Sequence, residues 1–177
     1  GKKPEDLKVI VCHLGNGSSI TAVDGGKSVD TTMGFTPLDG LMMGTRCGAI
    51  DPAIIPYIVE NCGIKVEELN SFMNKKCGMQ GISGVSSDFR DLWAAADEGN
   101  ERAKLALDMF IYQVKRYIGS YMAVLNGADA IVFTAGCGEH TPELREAVTE
   151  NLGFMGIELD KELNNNAPRG EEVLISK

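Results

Sequence analysis

The stretch Val11 to Gly26, "VCHLGNGSSITAVDGG", holds two apolar runs interrupted by Gly-Asn-Gly-Ser-Ser. Leu7 to Leu14 is rich in Val, Ile and Leu, and Ser18 to Val23 resumes with alternation, so the two runs read as strands of a hairpin. Gly25-Gly26 then turns the chain into Lys27 to Thr32, a third strand, and three antiparallel strands open the domain. The first linker has two readings on its residues alone. It is either an ordinary tight hairpin, for which Asn-Gly is the expected turn dipeptide, or a loop whose glycines at 15 and 17 admit phosphate oxygens to main-chain N–H groups, with Asn16, Ser18 and Ser19 as added donors. His13 is open in the same way between a structural and a chemical role.

Downstream, "MGFTPLDGLMMGTRCGAI", Met33 to Ile50, has no sustained period and four glycines, which suits an ordered loop lining a site. Helices follow. Asp51-Pro52 opens one over Ala53 to Asn61 that closes at Gly63, and a second covers Val66 to Lys75. "CGMQGISGVSSD" reads as another loop, after which Ser87 or Asp88 starts a helix through Ala96. The clearest helical signal is Glu101 to Asn126, where Ala103, Leu107, Phe110, Val114, Ile118, Tyr121 and Leu125 recur at steps of three and four, so that face is buried. Asn126-Gly127 ends it. "DAIVFT", Asp129 to Thr134, is a short apolar strand suited to a covered sheet interior. "AGCGEH" follows as a glycine turn, and Thr141-Pro142 starts a helix to about Leu152. "RGEEVLISK" at the end reads as a strand that stops at the chain end, a hint that the natural chain continues.

With 177 residues and 44% hydrophobic residues, the chain is most simply one globular α/β or α+β domain with a substantial core. A formal net charge of -8 argues against a broad footprint for DNA or RNA while leaving room for a local basic group to hold a small anion. The five cysteines, Cys12, Cys47, Cys62, Cys77 and Cys137, include no C-x-x-C pair and read as reduced cytosolic thiols. Two histidines with no nearby cysteine group give a zinc site little support. No run reaches membrane-spanning length and "GKKPEDLK" lacks the apolar segment of a signal peptide, so a cytoplasmic protein without a membrane or nucleic-acid partner is expected.

Three further groups carry chemistry. "GCGEH" after a buried strand is either a plain strand-to-helix turn or a glycine-lined floor for an adenosine nucleotide, with main-chain N–H groups aimed at an anion. Arg46, in "GTRCG", has the fork that clamps a phosphoryl group by two parallel N–H bonds and stabilises charge spreading over its oxygens, although a surface arginine is the commoner outcome. Asp88 and Arg90 suit ribose or phosphate, or equally a helix cap and a surface ion pair.

Taken together, "HLGNGSSITAV", "SVDTTMGFTPLDGLMMGTRCGAIDPA" and "FTAGCGEHTPELRE" closely resemble the acetate kinase family, from about Leu7 to Lys177. The long middle motif is the most specific part. The resemblance implies a ribonuclease H-like domain of the actin and hexokinase-like superfamily, a mixed sheet flanked by helices, corresponding to the carboxy-terminal half of a two-domain enzyme. It implies that His13, Leu14, Gly15, Asn16 and Gly17 contact nucleotide phosphates, that Asp88, Phe89 and Arg90 contribute to nucleotide binding, and that Gly136, Cys137, Gly138, Glu139 and His140 line the adenosine pocket. Arg46 matches the transition-state-stabilising arginine, and Pro37 a residue of the small apolar pocket for the acetate methyl group. The implied ligands are ATP or ADP, acetate or acetyl phosphate, and magnesium, whose glutamate ligand is expected beyond Lys177; Glu171 and Glu172 do not match it. A homodimer through this half is also implied.

The remaining catalytic groups of the family belong to the amino-terminal half, so this chain alone is expected to show no appreciable kinase activity. Cys137 and His140 stand where the family usually has isoleucine and asparagine, and Cys47 and Ala49 where it usually has serine and aspartate. His140 is bulkier than asparagine and titrates, which bears on nucleotide affinity. Pro37 alone does not set pocket size, so propionate or another short carboxylate is an alternative acceptor. A module that only binds nucleotide and dimerises is a reading from another class.

Overall fold

Alternation in β1 (Lys8–Leu14) turns Ile10, Cys12 and Leu14 to one face, where each is fully buried. The computed structural model describes residues 2–177. β2 (Ser18–Asp24) pairs antiparallel to β1 with Ile10 opposite Ala22, Cys12 opposite Ile20 and Leu14 opposite Ser18, so the same face continues inward across both strands. Each large apolar side chain fully buried there stabilises the fold by about 2 kcal/mol. β3 (Lys27–Thr31) is exposed along its whole length, and its ladder with β2 shifts register between Ala22 and Val23. The expected three-stranded opening is present.

The chain divides into two compact units, one running up to Thr31 and resuming over Ile111–Lys177, the other comprising Thr32–Phe110. In the first, β4 (Ala130–Thr134) joins parallel to β1, giving a mixed four-stranded sheet ordered β3-β2-β1-β4. This is an α/β architecture. β4 is not a covered interior strand: it is the last in the order, and Ala130 and Val132 are exposed. The carboxy-terminal segment, read as a strand, supplies only an isolated bridge between Ser176 and Leu159. A groove beside the open side of β4, lined in part by Ile131, Phe133, Met155, Ile157, Leu159 and Leu174, holds none of the candidate site residues.

The second unit holds α1 (Ile54–Asn61), α2 (Leu69–Lys75), α3 (Gly78–Ser83) and α4 (Phe89–Asp97). α3 occupies a segment read as a loop. Its two glycines hide the helix from propensity, but the amides of Met79 and Gln80 donate to the carbonyls of Met43 and Gly44 and anchor its first turn. Arg102 closes the other end, donating to the carbonyls of Ile82 and Gly81 at 2.8 and 3.1 Å. α5 (Glu101–Val124) starts in this unit and ends in the other. All seven residues expected on the inward face are buried, the last of them, Leu125, just past the end of the helix.

After β4, the expected glycine turn is a helix, α6 (Ala135–His140), and α7 (Pro142–Thr149) ends earlier than Leu152. The turn between β4 and α6 is made by Ala135 itself, at φ +66°. α8 (Lys161–Asn165) begins at the Asp160 cap, whose carboxylate accepts from the amides of Glu162 and Leu163. Arg145 of α7 joins these pieces. The residue is 3% exposed, and its guanidinium donates to the carbonyls of Gly138 and Glu139 at 2.9 and 2.7 Å and to the Oδ1 and main-chain O of Asn164 at 2.7 and 2.9 Å. Burial lowers the pKa of this group, but an arginine remains cationic. Arg145→Leu strands those acceptors out of water, so a loss of about 3 kcal/mol is expected in urea unfolding; an unchanged midpoint would contradict this assignment.

Candidate functional site

In the first unit, the parallel register places His13 beside Thr134, so the loop leaving β1 and the helix leaving β4 start from the same end of the sheet. The two bends adjoin. A Cβ built on Gly15 would lie 3.5 Å from the Cβ of Ala135 and 3.3 Å from the carbonyl of Gly17, which leaves a bare surface between them. The loop is tied from within: the Gly15 amide donates to the Gly17 carbonyl at 3.1 Å, and the Ser18 hydroxyl donates to the Gly15 carbonyl at 2.9 Å. The amides of Asn16 and Gly17 enter no hydrogen bond among the described residues.

The two glycines of α6 face opposite ways, as a two-residue helical step requires. Gly138 is buried, and a Cβ there would come within 3.4 Å of Phe133 and 3.6 Å of the Cys12 carbonyl. Gly136 opens outward, with nothing within 4 Å of its Cβ position. The Glu139 carboxylate reaches back to accept from the Ala135 amide at 3.0 Å. The strained Ala135 conformation, worth about 1–2 kcal/mol for a residue with a Cβ, is maintained by this bond and by Arg145 below. Glu139 and His140 are exposed, and Cys137 is half-buried.

Burial pushes the Cys12 thiol up to about 12, so it stays protonated under the sheet. Among the predicted nucleotide contacts of this unit, Leu14 is fully buried and has only its main chain to offer. His13 is exposed, with Nδ1 3.0 Å from the Thr134 hydroxyl.

The second unit brings Arg46 and Pro37 together: Nη1 of Arg46 donates to the Pro37 carbonyl at 3.3 Å and approaches Sδ of Met43 at 3.5 Å. The loop carrying them is held by main-chain bonds from Met43 to Arg46, Ala49 to Gly40, Cys47 to Met73 and Cys77 to Thr45. Buried Leu41, Met42 and Met43 pin its middle. Gly78, at φ +63°, and Gly40, at φ +89°, are equally tight, since a Cβ would sit 2.1 Å from the Met43 carbonyl oxygen in the first case and from that of Thr32 in the second. Arg46 is thus a half-buried guanidinium on a rigid loop beside a proline, an arrangement suited to a small anionic group with an apolar end.

Asp88 caps α4, accepting from the Arg90 amide at 2.9 Å and from its guanidinium at 3.0 and 2.6 Å. The Arg90 side chain, and next its amide, hold the Asp88 carboxyl below the usual carboxylate range. The Arg90 side chain is 88% exposed. Phe89 between them is buried, its ring edge-on to Phe110 at 4.8 Å.

Arg145 and Thr134 lie inside "FTAGCGEHTPELRE" but the motif gives neither a role: Arg145 stands four residues after Thr141, and Thr134 looks like the last residue of a strand. Among the described residues, no group of three or more His, Cys, Asp or Glu is gathered to hold a metal ion. No helix there is long and apolar enough to cross a membrane.

A model of the acetokinase family matches residues 1–177. The chain is 58% identical over 176 residues to an acetate kinase of Methanosarcina acetivorans, covering 99% of this chain and 43% of that protein. Among solved structures, the acetate kinase of Porphyromonas gingivalis superimposes with TM-score 0.92 at 44% identity, over 98% of this chain and 43% of that one. A propionate kinase of Francisella tularensis superimposes with TM-score 0.88 at 46% identity, over 96% and 43%. The chain therefore spans less than half the length of these relatives.

Proposed function

Since the chain belongs to the acetokinase family, we propose that the protein carrying it transfers a phosphoryl group reversibly between ATP and acetate, with this chain supplying nucleotide contacts and one catalytic arginine. The observation that carries the reading is that the glycine bend after β1 adjoins the Ala135 turn after β4, with the amides of Asn16 and Gly17 in no hydrogen bond among the described residues and Gly136 opening outward. Main-chain N–H groups there bind phosphate oxygens, and Gly136 to His140 form the floor under the adenosine. Asp88 to Arg90 add a further nucleotide contact.

In the transfer, an acetate oxygen forms a bond to the γ-phosphorus as the bond to the ADP oxygen breaks, leaving acetyl phosphate and ADP. Arg46 neutralises charge on the phosphoryl oxygens in flight, and Pro37 packs beside the acetate methyl. Magnesium, for which a glutamate ligand is expected beyond Lys177, would offset the charge of the nucleotide phosphates. A reduced, cytoplasmic setting fits five cysteines none of which is paired in a disulfide among the described residues. Self-association as a homodimer is supported by α1, a largely apolar helix with no buried residue.

A propionate acceptor is the second reading, favoured by the likeness to a propionate kinase. Trapping of acyl phosphate with hydroxylamine, in the presence of ATP and either acid, tests both. The complete protein is expected to turn over acetate faster than propionate, and the 177-residue chain alone neither. Faster propionate turnover moves the assignment to the second reading, and acyl phosphate made by the isolated chain overturns the division of labour.

A further inference from the structure

Resting on the reading of His13 to Gly17 as a phosphate-contacting loop, we propose that Thr134 is a positioning residue that fixes the tautomer and direction of the His13 ring. The two residues are register partners on parallel strands, so their side chains project from the same face of the sheet. The Thr134 hydroxyl lies 3.0 Å from Nδ1 of His13.

What the hydroxyl does not do is equally informative. Thr134 occupies the N-cap of α6, where a threonine ordinarily accepts from an amide of the first turn. Here it makes no capping bond, and the Ala135 amide is taken by the Glu139 carboxylate instead. The hydroxyl is left for the imidazole.

A ring that meets a phosphate oxygen has to present an N–H. A neutral imidazole has one donor and one acceptor nitrogen, and the partner of one fixes the role of the other. The Thr134 hydroxyl can donate or accept; when Nε2 carries the ring proton and donates to the anion, Nδ1 is the acceptor and the Thr134 O–H donates to it. The opposite tautomer would turn a lone pair toward it. Thr134 touches no phosphate in this scheme and acts through His13.

The test uses the complete protein and the variants Thr134→Val, Thr134→Ser, His13→Ala and the double variant Thr134→Val/His13→Ala, with ATP affinity measured by calorimetry. Imidazole ¹⁵N shifts of His13 give a second readout. Thr134→Val, nearly isosteric, is expected to weaken ATP binding about fivefold, the equivalent of one hydrogen bond. Thr134→Ser is expected to stay within about twofold of wild type because it retains the hydroxyl. In the His13→Ala background the valine substitution should add nothing, and the ¹⁵N shifts should place the wild-type proton on Nε2 and lose that preference in Thr134→Val. A proton on Nδ1 in the wild type, unchanged affinity in Thr134→Val, or an undiminished effect without His13 would each overturn the proposal. If His13→Ala leaves ATP affinity unaltered while the ¹⁵N shifts behave as described, the phosphate reading fails and the orientation of the ring by Thr134 stands.

Discussion

Arg46→Ala is expected to lower kcat of the complete protein about a thousandfold or more, the range over which a phosphoryl-stabilising arginine acts, while ATP affinity changes little. The direction follows from where the side chain sits. Its structural bonds are a 3.3 Å contact to the Pro37 carbonyl and a 3.5 Å approach to Met43 Sδ. The loop is held by main-chain bonds from Cys47 to Met73 and from Cys77 to Thr45, neither of which needs the guanidinium. Stability should therefore move by about 1 kcal/mol or less. Arg46→Lys keeps the charge but loses the two-pronged geometry, so it should recover only part of the rate. Steady-state kinetics with a melting curve for each variant decide the matter. A variant that raises the KM for ATP and leaves kcat intact would move Arg46 out of the transfer step and into nucleotide binding.

Gly78→Ala is the second large effect, and it acts through the same loop. A methyl group at this position would sit 2.1 Å from the Met43 carbonyl oxygen and 2.7 Å from that of Arg46, in a backbone at φ +63°. Both neighbours are main chain and cannot swing aside. The left-handed conformation adds about 1–2 kcal/mol for any residue with a Cβ, and the clash brings the expected loss to about 3 kcal/mol or more. For a chain of this size that is a fall of roughly 10 °C in Tm. Gly153→Ala is the matched control, since nothing lies within 4 Å of its Cβ position and its φ is ordinary. Thermal unfolding of both variants is the measurement. Equal melting temperatures would mean that the loop behind Arg46 yields more readily than its bonding pattern implies.

Periodicity made the sheet and the long helix legible. Ile10, Cys12 and Leu14 alternate because β1 buries one face, and six inward residues of α5, with Leu125 just past its end, recur because one side of that helix is covered. Glycine obscured the rest. Residues 78–83 and 135–140 both look like turns, yet each is a helix whose ends are held from elsewhere, by the carbonyls of Met43 and Gly44 and the Arg102 side chain in one case and by Arg145 in the other. Those partners lie several to tens of residues away, beyond the reach of a local pattern. The exposed flank of β4 was invisible for a related reason: a run such as "AIVF" reports burial propensity and not strand order. Motif spelling pointed to Arg46, Pro37 and the glycine bends. It was silent on Thr134, whose role depends on a register partner 121 positions earlier.

That separation also has a temporal side. The links between β1 and β2 and between β2 and β3 are three and two residues long, so this ladder closes at small entropic cost. The meeting of β1 with β4 must close a loop of more than a hundred residues, and topology of that kind slows assembly. During synthesis, the hairpins emerge early, whereas the cradle at their end waits until Thr134 has left the ribosome. The glycine bend after β1 is made long before the surface it shares exists.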